Sequence, residues 1–247
     1  MLLWEHIFGH PVHIFMPDWV SIERIKIMQN YGAEVTLISR QQGGFKRAIR
    51  EAQNLAIKKG AFLANQFANT DNILAHYETT GQEIINQLPE DIGGFVSGVG
   101  TGGTLVGIGK KLKRINKDIA ITVVEPETMP LISKNRIIGP HKIEGIGDDF
   151  IPALLDKNII DKIFLVNDND AINMARKIAK DLGIGVGISS GANLLGCILL
   201  QEKINKPVVT VFADDNKKYL STDLSLNIDK NKKFVSNNVE LINYQVT

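Results

Sequence analysis

The segment Ser97-Gly98-Val99-Gly100-Thr101-Gly102-Gly103-Thr104 joins a strand-like run to a helical pattern, and its residue types suit it to hold an anion. Glycines at such a junction let the backbone approach a ligand closely, and the first N–H groups of a helix have no intrahelical acceptor. The helix dipole adds potential favourable to negative charge, while Thr101 and Thr104 bring hydroxyl donors. The expectation is a phosphate cradle built from Gly100, Thr101, Gly102, Gly103 and Thr104. A tight turn that needs glycine only for packing is the plainer alternative. The segment is not a P-loop, because no Lys-Ser/Thr pair follows Gly103. Gly98, Gly100 and Gly103 also satisfy G-x-G-x-x-G, and Glu125 stands near the position of a ribose-binding acid, about twenty residues on. On these residues alone a dinucleotide site stays open beside the phosphate cradle.

Two further segments carry weaker signals. In Gly187-Ile188-Ser189-Ser190-Gly191-Ala192, small residues permit approach of a planar ring, and a serine hydroxyl can donate or accept a hydrogen bond. A helix N-cap is the competing reading there. Glu144-Gly145-Ile146-Gly147-Asp148-Asp149-Phe150-Ile151-Pro152 reads equally as a site loop or a glycine turn. Cys197 is the only cysteine, so no internal disulfide can form, and its apolar helical neighbours mark it as a small buried hydrophobe rather than a reactive thiol.

These segments need a scaffold, and the hydrophobic pattern supplies one. Strand-like runs are expected at 12–16, 35–38, 62–64, 95–99, 120–124, 163–166 and 208–212. Helical patterns fall between them at 21–31, 45–59, 73–88, 104–115, 170–182 and 192–204. Strand–helix alternation of this kind implies βαβ units and mostly parallel sheets covered on both faces, an α/β protein. The Asn- and Lys-rich tail after Leu224 has weak periodicity and reads as a loosely docked extension.

With 28 basic and 27 acidic side chains, the formal charge is +1, which gives no electrostatic reason to expect nucleic acid or an anionic membrane as partner. No apolar run reaches the ~20 residues a membrane span requires. The opening ten residues include Glu5 and His6 and lack a basic flank, unlike a signal peptide, so a cytoplasmic protein is the default expectation.

Taken in order, these segments resemble the cysteine synthase and cystathionine β-synthase family. The likeness runs through Pro17-Asp18, Ser21-Ile22-Glu23-Arg24, Tyr31-Gly32-Ala33-Glu34-Val35 and His76-Tyr77-Glu78-Thr79-Thr80-Gly81. It continues through Gly100–Thr104, Gly145-Ile146-Gly147, Gly187–Gly191 and Tyr219-Leu220-Ser221-Thr222, and outweighs the dinucleotide alternative. The resemblance implies a fold-type II (tryptophan synthase β-like) enzyme dependent on pyridoxal 5'-phosphate, with two α/β domains and the cofactor in the cleft between them. Residues 1–69 would be what remains of the smaller domain, 70–224 the larger cofactor-binding domain, and 225–247 the tail. By the same likeness Gly100–Thr104 would hold the cofactor phosphate and Ser189 the pyridine nitrogen. Gln66 and Gly145 would lie beside the substrate. The implied partners are an amino acid carrying a leaving group on Cβ, such as O-acetylserine or serine, a sulfide or thiol, and a second copy of the chain in a homodimer.

Three departures qualify the likeness. The family's Schiff-base lysine and its Thr-Ser-Gly-Asn-Thr-Gly substrate loop lie upstream of the matching region, and neither occurs in this sequence. Lys26, Lys46, Lys110 and Lys142 sit in other motifs, so no catalytic lysine is assigned and the chain as written is expected to be inactive. Leu2, Leu3 and Ile7 would belong to the helix after the missing loop. Ala213-Asp214-Asp215-Asn216 replaces the usual Pro-Asp-Ser-Gly, and Asp148-Asp149 replaces the Ala-Gly of many cysteine synthases, a feature closer to cystathionine β-synthases. Cysteine synthase is the preferred reading and cystathionine β-synthase the alternative. A non-catalytic remnant or cofactor-binding subunit is the alternative of another class.

Overall fold

Short apolar runs alternating with helices form parallel strands in the computed structural model, which describes residues 9–88, 91–226, 230–231 and 233–243. The reading of Leu2, Leu3 and Ile7 lies outside the described residues. The chain divides into two units, Met1–Asn65 with Lys217–Ser225, and Gln66–Asn216 with Leu226–Thr247. The division differs from the sequence boundaries at 69 and 224, because residues 217–225 return to the first unit and the tail packs on the second.

In the first unit β1 (His13–Pro17) pairs in parallel with β2 (Glu34–Ile38) through the crossover helix α1 (Ile22–Asn30). Helix α2 (Gly44–Lys59) follows and ends at Gly60 in the left-handed conformation. The returning segment is tied to α1 by the Arg24 guanidinium, which donates to the Tyr219 hydroxyl at 3.0 Å, and by the Ser221 hydroxyl, which donates to Glu23 at 2.6 Å.

The second unit holds a four-stranded parallel sheet in the order β5-β4-β3-β6, with β3 (Gly94–Gly98), β4 (Ala120–Pro126), β5 (Lys162–Val166) and β6 (Val208–Thr210). Helices α3 (Asp71–Glu78), α4 (Thr80–Gln87), α5 (Gly103–Ile115), α6 (Leu131–Lys134), α7 (Asp168–Leu182) and α8 (Ile188–Ile204) complete it. Phe95, Leu105, Ile108, Leu112 and Ile121 form its core. From β3 the chain runs outward to β4 and β5 and then returns to β6 on the other side of β3. That reversal opens a crevice at the carboxyl end of β3, where parallel sheets bind ligands.

Two expected elements differ. Phe62-Leu63-Ala64 forms no strand: Phe62 is 86% exposed, and no strand pairs with this run among the described residues. The helix expected over 73–88 breaks at Thr79, whose hydroxyl donates to the Ala75 carbonyl at 2.7 Å, drawing the backbone out of helical geometry between α3 and α4. The tail is tied down: the Val235 and Ser236 amides donate to the buried Asp170 carboxylate of α7, each at 3.0 Å.

Candidate functional site

Strand β3 ends at Gly98, and the chain turns through Val99–Thr101 into α5. Gly102 caps that helix at φ +90°, a left-handed value that side-chain-bearing residues rarely adopt, so the turn requires glycine. Among the described residues the amides of Thr101, Gly102, Thr104 and Leu105 have no hydrogen-bond acceptor. The Gly103 amide makes only a 3.3 Å bond to the Thr101 hydroxyl oxygen. Gly102, Gly103 and Leu105 are buried, and donors left unpaired at the start of a helix are available to an external anion. A phosphate monoester, with three acceptor oxygens, suits this donor set.

The predicted residues fall around this turn. Gly145 lies against Gly100, where an added Cβ would come within 2.5 Å of the Gly145 carbonyl oxygen. The loop is fixed by the Gly147 amide donating to the Val99 carbonyl at 3.0 Å. The Gln66 carbonyl accepts from the Asn72 side chain at 3.0 Å, and that same amide nitrogen reaches the Thr101 hydroxyl at 3.0 Å. Ser189 lies in the first turn of α8, 6% exposed, and its hydroxyl has no partner among the described residues. Asn193, one turn further along α8, accepts from the Gly98 amide at 2.8 Å and donates to the Val211 carbonyl at 3.0 Å. One side chain thus spans the crevice between β3 and the segment after β6, bringing the start of α8 to the end of β3.

The acid of the dinucleotide reading is not available. Glu125 is buried at the end of β4, where one carboxylate oxygen accepts from the Ile132 amide and the other from the Ser133 amide. It therefore caps α6, and no ribose contact is left to it. Cys197 is buried in α8, and burial pushes its thiol up to about 12, which keeps it protonated and unreactive at neutral pH.

Asp148 is the perturbed acid of the loop. Burial, with the Asp149 carboxylate beside it, raises its carboxyl to about 7, and the side chain has no hydrogen-bond partner among the described residues. It faces a cavity of about 20 Å³, room for a single water, whose walls include Val99, Glu125 and Phe150.

Three residues that hold the site together are given no site role by the sequence: Asn72, Asn193 and His76, the last quoted only as part of the segment that carries the family likeness. His76 bridges the hydroxyls of Thr104 at 3.0 Å and Thr80 at 3.1 Å, and burial lowers the basicity of its ring. The available signals are faint. The i, i+4 spacing of Asn72 and His76 places them on one face of α3, and Asn193 is a lone amide in an otherwise apolar run of α8.

Comparison with known proteins gives concordant matches. The model of the pyridoxal-phosphate dependent enzyme family matches residues 6–214. Cysteine synthase B of Campylobacter jejuni is 41% identical over 211 residues, covering 85% of this chain and 70% of the relative. A hydrogen sulfide-producing enzyme of Fusobacterium nucleatum superposes with a TM-score of 0.90 at 44% identity, over 96% of this chain and 72% of that one. An O-acetylserine dependent cystathionine β-synthase of Helicobacter pylori superposes with a TM-score of 0.84 at 33% identity, over 91% and 74% of the two chains.

Proposed function

For a chain that belongs to the pyridoxal-phosphate dependent enzyme family, in its cysteine synthase-like branch, we propose β-replacement on O-acetylserine by sulfide to form cysteine. The observation that carries this reading is the set of unpaired amides at Thr101, Gly102, Thr104 and Leu105. In this assignment Gly100–Thr104 hold the cofactor phosphate through backbone N–H groups, with the Thr101 and Thr104 hydroxyls as further donors. The free Ser189 hydroxyl holds the pyridine nitrogen. A neutral hydroxyl in that place leaves the nitrogen unprotonated. Pyridoxal phosphate supplies an electron sink that acidifies the Cα–H of an amino acid and lets a substituent leave from Cβ. Gln66 and Gly145 take the substrate side, where the Gly145 loop closes against Gly100.

We assign none of the lysines in this sequence to the family's catalytic lysine. Pyridoxal phosphate added to the 247-residue chain therefore binds reversibly. Borohydride treatment followed by peptide mass spectrometry should find only scattered, substoichiometric labelling of surface lysines, and a single lysine modified stoichiometrically would contradict the assignment.

Asp148 favours a second reading within the same chemistry. Acetate leaves without help, whereas a hydroxyl or thiol leaves more readily when protonated. A carboxyl titrating at about 7 in the loop beside the cradle can hold that proton at its Oδ, which favours serine or a thiol-bearing amino acid as donor. That is the cystathionine β-synthase alternative. The two readings separate by product, using the chain fused behind the lysine-bearing segment that the family places upstream. Cysteine from O-acetylserine and sulfide supports the first reading. Cystathionine alone, from serine and homocysteine, would replace it with the second.

A further inference from the structure

Helix α3 stands behind the anion cradle and touches it twice. Asn72 and His76, one turn apart, meet Thr101 and Thr104 at the start of α5. The approach depends on two glycines one turn apart on α5. A Cβ at Gly103 would overlap the Asn72 side chain, and one at Gly107 would lie 2.7 Å from the Cβ of His76 and 2.5 Å from the Ile73 carbonyl oxygen. Gly103 therefore makes room for a side chain behind the cradle.

The hydrogen-bond directions follow from the partners. The Asn72 amide nitrogen donates to the Gln66 carbonyl, which can only accept, so the nitrogen faces both Gln66 and Thr101. Thr101 Oγ1 then accepts twice, from Asn72 at 3.0 Å and from the Gly103 amide at 3.3 Å, and its own proton must point elsewhere. For His76 the choice is set by Thr80, whose hydroxyl has no acceptor among the described residues other than the ring Nδ1 at 3.1 Å. With Thr80 donating to Nδ1, the ring proton sits on Nε2 and is donated to Thr104 Oγ1 at 3.0 Å. The opposite tautomer would leave the Thr80 proton to solvent and turn the Thr104 proton back toward the ring.

Resting on the phosphate reading above, we infer that Asn72 and His76 are positioning residues that turn the Thr101 and Thr104 hydroxyl protons into the cradle, making both hydroxyls donors to a phosphate monoester. The cradle is thereby preorganised before the anion arrives.

The test is a pair of double-mutant cycles on the full 247-residue chain, with pyridoxal phosphate and inorganic phosphate as probes and the thermal midpoint as a control. Asn72→Ala and His76→Leu should each weaken binding of both probes about ten- to a hundred-fold, the worth of one oriented hydrogen bond to an anion. Asn72→Ala should add little in a Thr101→Ala background, and His76→Leu little in a Thr104→Ala background, since the hydroxyl they act through is gone. His76→Gln, which keeps a donor near the Nε2 position, should restore most of the affinity. Nitrogen-15 NMR of the wild-type chain should find the His76 ring proton on Nε2. Additive losses in both cycles, or a proton on Nδ1, would overturn the inference while leaving the phosphate reading intact. Failure of the wild-type chain to prefer pyridoxal phosphate over pyridoxal would instead remove both.

Discussion

Around Gly103 and Asp148 the site depends on single atoms. A methyl group at Gly103 has no room, because the Asn72 side chain already fills the space. Gly103→Ala should therefore cost about 1–3 kcal/mol, the usual range for an overpacked position, and weaken phosphate binding as Asn72 is displaced. Chemical denaturation with and without pyridoxal phosphate measures both effects, and unchanged stability would show that Asn72 moves aside freely. At Asp148 the folded chain raises the carboxyl from 3.8 to about 7, so folding disfavours the charged form. Below pH 3.8 both folded and unfolded chains carry the proton, and the position costs nothing. As pH rises toward 7 the unfolded chain gains by ionising and the folded one does not, a loss of about 1.4 kcal/mol for every ten-fold difference in acidity between the two states. Asp148→Asn should then match the wild type near pH 4 and become progressively more stable up to about pH 7, with a constant margin above. A margin independent of pH would contradict the burial argument.

The elements divide sharply into those legible in the sequence and those that tertiary contacts decide. Strands β3 and β4 and helix α5 are readable because apolar residues at strand and helix periods are buried in the second unit's core, as Phe95, Ile121 and Leu112 are. The break at Thr79 is not readable, since it is accompanied by a hydroxyl that bonds the Ala75 carbonyl alongside the Thr79 amide, and hydrophobic period carries no trace of that bond. Of the candidate site, the glycine turn announces itself through unpaired N–H groups that any helix start must have. Asn193 does not, because its value comes from two backbone groups far away in the chain, the Gly98 amide and the Val211 carbonyl. Asn193→Ala leaves both groups without their partner at the crevice. It should destabilise the chain by about 1–3 kcal/mol and also weaken pyridoxal phosphate binding, since the start of α8 is no longer pinned to β3. A stability loss with unchanged cofactor affinity would show that Asn193 serves the fold alone.

At the level of the whole chain, two units are assembled from interleaved sequence: residues 217–225 pack with the first and the tail with the second. Sequence periodicity could not show this, because neither segment carries a regular helix or strand period, and a few specific bonds decide where they go. The Asp170 carboxylate, 7% exposed, is satisfied by the Val235 and Ser236 amides. Ending the chain after Ser225 should therefore cost about 3 kcal/mol, read as a lower denaturation midpoint, because a buried charge loses its donors. An unchanged midpoint would mean that water replaces them. The proposed chemistry depends most on the turn from Val99 into α5 acting as a phosphate cradle. Its most direct test is to titrate the 247-residue chain with pyridoxal phosphate and with pyridoxal, which differ only in the phosphate group. A cradle of this kind requires pyridoxal phosphate to bind at least about ten-fold more tightly, with inorganic phosphate competing against it. Equal affinity for the two, or indifference to inorganic phosphate, would contradict it.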